Sequence, residues 1–257
     1  MAYLLMAYLL SFEPCYAIGW YNEREETFVT DSEAELHDFK DPGNGVPLKR
    51  VSEESYFFKM SKYCDALIER IETIPDFIQP EQYRNSILNR LKTDGLKDLS
   101  ISRTSFSWGI EVPDGYKKNH VMYVWFDALS NYLSGVHGLD PHELSKYWPA
   151  NVHIVGKDII WFHCVIWPCM LMSAKVALPE SIYAHGFVNA SDGRKMSKSY
   201  NNSTDPNDII SKYPVDSIRY YCISSITYGA DLNYSEANLV TMHNTELADV
   251  LGKCVLV

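Results

Sequence analysis

VHIVGKDIIWFHCVIWP, Val152 to Pro168, is the stretch on which the fold turns. Val152 to Val155 is a short β-branched run with strand character, Gly156 is a tight junction, and Asp158 to Ala174 is a helix apolar nearly all round, a pattern that suits a buried position. A strand feeding a buried helix is the repeating part of a parallel sheet with crossover connections. Glycine at the junction permits close approach of a ligand to the backbone, and the Asp158 carboxylate is placed to accept hydrogen bonds beside it. The same carboxylate also suits a plain N-cap, and the two roles can coexist.

Outward from this unit the pattern repeats. Upstream, HVMYVWF, His120 to Phe126, reads as a second buried strand feeding a helix over Asp127 to Leu133. Downstream, Ser181 to Ala184 is a third short strand leading into GRKMSKSYNN, Gly193 to Asn202. Strand, helix, strand, helix, strand, loop is the order of a doubly wound α/β sheet, whose ligands collect at the carboxyl ends of the strands. Trp125, Asp127, Gly156, Asp158, Phe187 and Val188 all fall at such ends. Asp205 and Pro206 then supply an N-cap and a first helical residue for Asn207 to Lys212, and helical patterning returns at Asp216 to Ile223 and Glu236 to Leu251.

The loop after the third strand gathers Arg194, Lys195 and Lys198 beside small hydroxyl residues. Three cations on a glycine-bearing loop suit a polyphosphate better than a neutral ligand, although a lysine-rich pentamer standing alone is more often a solvated loop. Ile159, His163 and Trp167 are four apart and line one face of the buried helix, while Ala128, Leu129 and Tyr132 share a face of the preceding one. Such faces serve equally as core.

Before these units the chain changes character. Gly19 to Val51 is polar and acidic, with Pro42, Gly43, Asn44 and Gly45 forming a turn cluster, and reads as a small hairpin-bearing module. Glu53 to Glu72 places Phe57, Met60, Cys64, Leu67, Ile68 and Ile71 near the helical period. Glu81 to Lys92 predicts a second amphipathic helix through Tyr83, Ile87, Leu88 and Leu91, with Pro75 and Pro80 punctuating the gap.

Composition bounds the function. The 257 residues are 46% hydrophobic and carry 33 acidic against 23 basic side chains, a formal charge of -10. A core of useful size is available, and any contact with nucleic acid must be local because the surface as a whole repels it. The six cysteines show no CxxC pair and no secreted-type framework, so they read as reduced thiols. Cys164 and Cys169 near His163 do not reproduce a zinc knuckle and read as core packing. The opening MAYLLMAYLL is too short to span a bilayer and lacks the flank of a signal peptide, and no membrane anchor is visible elsewhere.

KMSKS preceded by AHGFVNASDGR, together with YVWFDALSNYLSG and VHIVGKDIIWFH, resembles the second half of the methionyl-tRNA synthetases, a class I family. The resemblance runs from about Gly19 to near Gly252. EESYFFKMSKYCDALIERIETIPDFIQP resembles that family's connection between the halves of its nucleotide fold, and DLSISRTSFSWGIEVP the return into the second half. The implied layout is an unrelated segment over 1–18, a connecting-module remnant and helical return over 19–115, the second half of a Rossmann-like catalytic domain with the KMSKS loop over 116–205, and a helical stem-contact region with the start of anticodon-binding helices over 206–257.

The resemblance implies an ATP-dependent ligase of methionine to tRNA, working in the cytoplasm or, alternatively, in a mitochondrion or plastid. It implies that Lys195 and Lys198 are catalytic and hold ATP phosphates, with charge that develops in the transition state met by a mobile ammonium. Gly156, Asp158 and Val188 would hold the nucleoside of ATP. Trp125, Ala128, Leu129, Tyr132, Ile159, His163 and Trp167 would hold methionine. ATP enters as a substrate with Mg2+, tRNA(Met) is the acceptor, and no structural zinc or other metal site is expected. The family's second signature, a HIGH-like tetrapeptide, has no counterpart, because no His-x-Gly-His occurs in the chain. The isolated chain is therefore expected not to form methionyl-adenylate at a useful rate, and to self-associate through an open sheet edge. Two other readings remain open: a non-catalytic descendant that binds tRNA or a protein, and one chain of a split synthetase.

Overall fold

The computed structural model describes residues 15–22, 27–29, 31–40, 45–136, 146–196 and 202–255. The MAYLL repeat, Pro42 to Asn44 of the turn cluster, and Lys198 lie outside the described residues. The chain opens on an antiparallel sheet of β1 (Cys15–Asn22), β2 (Thr27–Val29) and β3 (Lys49–Ser55), in the order β2-β1-β3, with α1 (Asp31–Leu36) between β2 and β3. Pairing of β1 with β3 runs from Cys15↔Ser55 to Tyr21↔Lys49, so the strand starts ahead of the boundary expected at residue 18.

The helix expected from Glu53 begins only at Cys64. Glu53 to Ser55 belong to β3, β4 (Phe57–Phe58) follows, and a 3-10 turn over Met60–Tyr63 leads into α2 (Cys64–Thr73). Alternation in β3 buries Glu53 and Ser55, and cross-strand pairing with β1 wins over a helical spacing only approximately kept. After β5 (Ile78–Gln79), α3 (Glu81–Asp94) follows the expected Glu81 start and ends on Gly95, whose positive φ of 66 suits glycine.

The His120 to Phe126 run departs further from the expected strand. After β6 (Leu99–Ser100) and β7 (Ser102–Arg103), only β8 (Val121–Met122) is extended, and it pairs antiparallel with β7 rather than entering the parallel sheet. Tyr123 N donates to Ile101 O at 2.9 Å, and α4 (Val124–Ser134) starts immediately afterwards. A continuous apolar run carries no period that separates strand from helix, and here the helix takes its second half.

The parallel sheet is built from β5, β9 (Val152–Gly156) and β10 (Ser181–His185), in the order β5-β10-β9. Its third strand thus comes from before residue 115. Between β9 and β10 the chain runs through a 3-10 turn (Lys157–Ile159), a π-helical turn (Phe162–Ile166) and α5 (Trp167–Ser173), buried from His163 to Leu171. One core joins these pieces, from Tyr56 and Phe58 through Leu67, Phe77 and Phe126 to Trp167 and Ile182. Cys164 and Cys169 lie inside it, and burial pushes both thiols up, that of Cys169 to about 12.

β11 (Val188–Asn189) follows β10 and pairs parallel with β12 (Leu232–Asn233), which comes after α6 (Pro206–Lys212) and α7 (Val215–Ser224). Asp205 caps α6 as its sequence predicts, accepting from Asn207 N at 2.8 Å. α8 (Glu236–Met242) continues through a π-helical stretch (His243–Leu251) into α9 (Gly252–Val255). Tyr221, Leu232, Tyr234 and Leu239 form a second, smaller core. No described helix is long and apolar enough to cross a membrane.

Candidate nucleotide and amino-acid site

The site starts where β9 ends. A Cβ on Gly156 would lie 2.5 Å from Asp158 Oδ1, because the exposed Asp158 carboxylate folds back over the glycine. The N-cap position of the following turn is Gly156, and no side chain caps it, so Asp158 is not an N-cap here. His185 at the end of β10 comes within 3.9 Å of the same point. The carboxyl ends of the two parallel strands therefore converge on a glycine whose missing side chain makes room for the Asp158 carboxylate.

From Gly156 the chain leads into an aromatic cluster. Tyr132 OH lies 2.8 Å from His163 Nε2, and His163 Nδ1 lies 2.9 Å from Ile159 O. Trp125 stacks on Phe162 with centroids 4.0 Å apart and meets the His163 ring edge-on at 6.4 Å. Tyr132 also lies 6.0 Å from the fully buried Trp167. Residues Trp125 and Tyr132 of α4 are thus brought together with Ile159, His163 and Trp167 of the successive helical turns after β9. Ala128 is exposed on α4, whereas Leu129 is buried in the core and faces away from solvent. Burial lowers the pKa of His163 and raises that of Tyr132, so both are held neutral.

Sequence reasoning missed two members of the cluster. His153 is 5% exposed, its ring is 4.3 Å from Tyr132, and its Nε2 has no hydrogen-bond partner among the described residues. Burial first, and the neighbouring His163 second, push its pKa down to about 4. The alternation of β9, which turns His153 and Val155 inward together, is the signal that was available. Phe162 is placed by the π-helical turn, which no apolar spacing announces.

On the phosphate side, Lys195 bridges back to Asn189 across a turn in which Gly193 takes φ 81. Its Nζ lies 5.1 Å from the centroid of the Phe187 ring. Val188 is exposed in β11, next to that ring. Arg194 Nε donates to Asp192 Oδ2 at 2.7 Å. Among the described residues, no group of three or more His, Cys, Asp or Glu is placed to hold a metal ion.

The arrangement can present a stacking and hydrogen-bonding wall to a small apolar or thioether side chain, with the Asp158 carboxylate over Gly156 and lysine cations further along the strand ends. Methionine–tRNA ligases of Rickettsia conorii and Mycobacterium leprae are 47% and 45% identical over 235 and 245 residues, 91% of this chain in each case but only 45% and 44% of the relative. A Mycobacterium tuberculosis methionyl-tRNA synthetase solved in complex with methionyl-adenylate superposes with TM-score 0.88 at 42% identity, covering 98% of this chain and 50% of that one. The chain spans about half the length of the relatives it matches. A family model described as tRNA synthetases class I (M) matches residues 19–256, and the chain belongs to that family, the methionyl-tRNA synthetases.

Proposed function

We propose that this chain supplies one wall of a methionine-activating site: it binds methionine and ATP for formation of methionyl-adenylate and transfer to tRNA(Met) in the cytoplasm. The observation that carries the reading is the neutral Tyr132–His163 pair beside Trp125, with His163 on the helical stretch that follows Gly156 and the Asp158 carboxylate folded over that glycine. Trp125, Ala128, Tyr132, Ile159, His163 and Trp167 face or back the methionine side chain, and Leu129 supports α4 from the core. Gly156, Asp158 and Val188 receive the nucleoside. Lys195 and Lys198 receive the phosphates, and magnesium arrives complexed to the nucleotide.

The 257-residue polypeptide alone lacks the His-x-Gly-His element that would grip ATP from the opposite side. Orientation contributes roughly 7 to 11 kcal/mol to well-aligned reactions, and one wall cannot orient both substrates. Titration with methionine should quench or shift the fluorescence of Trp125 and Trp167, while methionine-dependent exchange of pyrophosphate into ATP should stay at background. Exchange at the rate of a complete synthetase would overturn the second half of this reading, and absence of any methionine response the first.

A second reading follows from β9. Among the described residues its outer edge pairs with no strand, and Val152 and Ile154 are 41% and 68% exposed beside it. An apolar strand edge without lysine or proline invites pairing with another chain, so self-association belongs to the proposal.

A further inference from the structure

Two lysines from different strand ends meet on one aromatic ring. Lys157 Nζ lies 4.7 Å from the centroid of Phe187 and Lys195 Nζ lies 5.1 Å from it. Their separation is at most the sum of those distances, the reach of a short phosphate chain. Lys157 follows Gly156 at the end of β9, and Lys195 follows the turn after β11, in a different sheet, so the two lysines meet across the Phe187 ring and not through strand pairing.

Lys157 is also tied to a carboxylate. Its Nζ lies 2.7 Å from Asp231 Oδ1 and 2.8 Å from Oδ2, and Phe187 N donates to Asp231 Oδ1 at 2.8 Å. The segment carrying Asp231 is clamped. A Cβ on Gly186 would lie 2.1 Å from Ala230 O, a Cβ on Gly229 would lie 2.6 Å from Pro80 Cγ, and Tyr83 OH donates to Gly229 O at 2.7 Å. The carboxylate is therefore the fixed member of the ion pair, and the four-carbon stem of Lys157 is the movable one.

We propose that Lys157 is a second phosphate-binding cation opposite Lys195, parked on Asp231 until a polyphosphate lies across Phe187. The inference rests on the nucleotide reading above and adds a residue and a resting state to it. A polyphosphate carries more charge than one carboxylate and spans both ammonium groups, so it draws Lys157 away. Asp231, which cannot follow, stays behind as a competing anion. Removing that competitor strengthens binding, whereas a purely structural ion pair gives the opposite sign.

Calorimetric titration of the 257-residue chain with inorganic tripolyphosphate, and separately with adenosine, tests this. Lys157→Met should weaken tripolyphosphate binding by about tenfold and leave adenosine binding unchanged. Lys157→Arg should retain most of the affinity. Asp231→Asn should strengthen tripolyphosphate binding by about threefold or more. Wild-type affinity in Lys157→Met, weaker binding in Asp231→Asn, or no tripolyphosphate binding by the wild type would each overturn the proposal. If the wild type binds adenosine but not tripolyphosphate, the cation pair falls and the nucleotide reading stands; if it binds neither, both fall.

Discussion

Tyr132 donates its hydroxyl proton to Nε2 of His163 at 2.8 Å, because Nδ1 of the same ring lies 2.9 Å from the Ile159 carbonyl, which can only accept. That places the imidazole proton on Nδ1 and leaves Nε2 as the acceptor. Burial lowers the His163 pKa and keeps the ring neutral. One backbone carbonyl, delivered by the turn after β9, thus sets the direction of the hydrogen bond at the centre of the aromatic cluster.

Tyr132→Phe removes the donor and leaves Nε2 of a buried histidine unpartnered. The expected loss is about 1 kcal/mol, at the low end for an orphaned buried acceptor because Tyr132 is itself partly exposed. Urea unfolding measures it, and a midpoint equal to that of the wild type would mean that the bond does not form in solution.

His153 makes acid unfolding steeper. Its folded pKa is about 4 against 6.5 for the ordinary ring, because of burial and then the repulsion that a protonated His163 would exert in acid. The unfolded chain takes up this proton below about pH 6.5 and the folded chain does not until about pH 4. Stability is present in full above the upper value and falls between the two by about 3 kcal/mol. His153→Phe keeps a ring against Tyr132 and should flatten the dependence of unfolding free energy on pH across that window. Parallel curves for the two proteins would contradict a neutral buried His153.

Glu53 anchors the start of the segment after β7. Its Oε1 accepts from Ser105 N at 2.6 Å, from Thr104 Oγ1 at 3.1 Å and from Thr104 N. Glu53→Ala leaves backbone donors behind without their charged acceptor and should cost about 2 to 3 kcal/mol. Hydrogen exchange at Ser105 should rise at the same time. Unchanged protection there would show that another acceptor replaces the carboxylate.

Gly186 permits a close backbone crossing. Its absent Cβ would sit 2.1 Å from Ala230 O and 2.8 Å from Asp231 N, neither of which can rotate away. Gly186→Ala must push β10 and the Ala230 segment apart, with an expected loss of about 1 to 3 kcal/mol. Thermal unfolding of the pair of proteins checks this, and an unshifted transition would mean that the crossing is looser than described.

The edge of β9 predicts concentration-dependent assembly. Sedimentation of the wild type should show species larger than the monomer at raised concentration, and Ile154→Lys should return it to monomer by charging the exposed strand. A wild-type monomer at every concentration would remove self-association from the proposed function.

Much of the site was legible because it is written in local order. Gly156, Lys195 and the four-residue spacing of Ile159, His163 and Trp167 follow from strand ends, a glycine loop and a helical face, each a short-range pattern. His153 was legible only as an inward residue of β9, and Phe162 not at all. One depends on which side of β9 faces α4, and the other on a π-helical turn that shifts the face of the helix by part of a turn. The Lys157–Asp231 pair joins residues 74 positions apart, and nothing within either segment announces the other.

By itself, the sequence determined that strands feed buried helices and end on a glycine and a lysine loop, because period and composition are properties of neighbouring residues. Only the tertiary structure decided that β5 and not His120 to Phe126 completes the parallel sheet, that Leu129 turns into the core, and that Lys157 shares a ring with Lys195. Those outcomes depend on which distant segments bury each other's apolar faces and satisfy each other's backbone groups, a choice made by the whole chain at once.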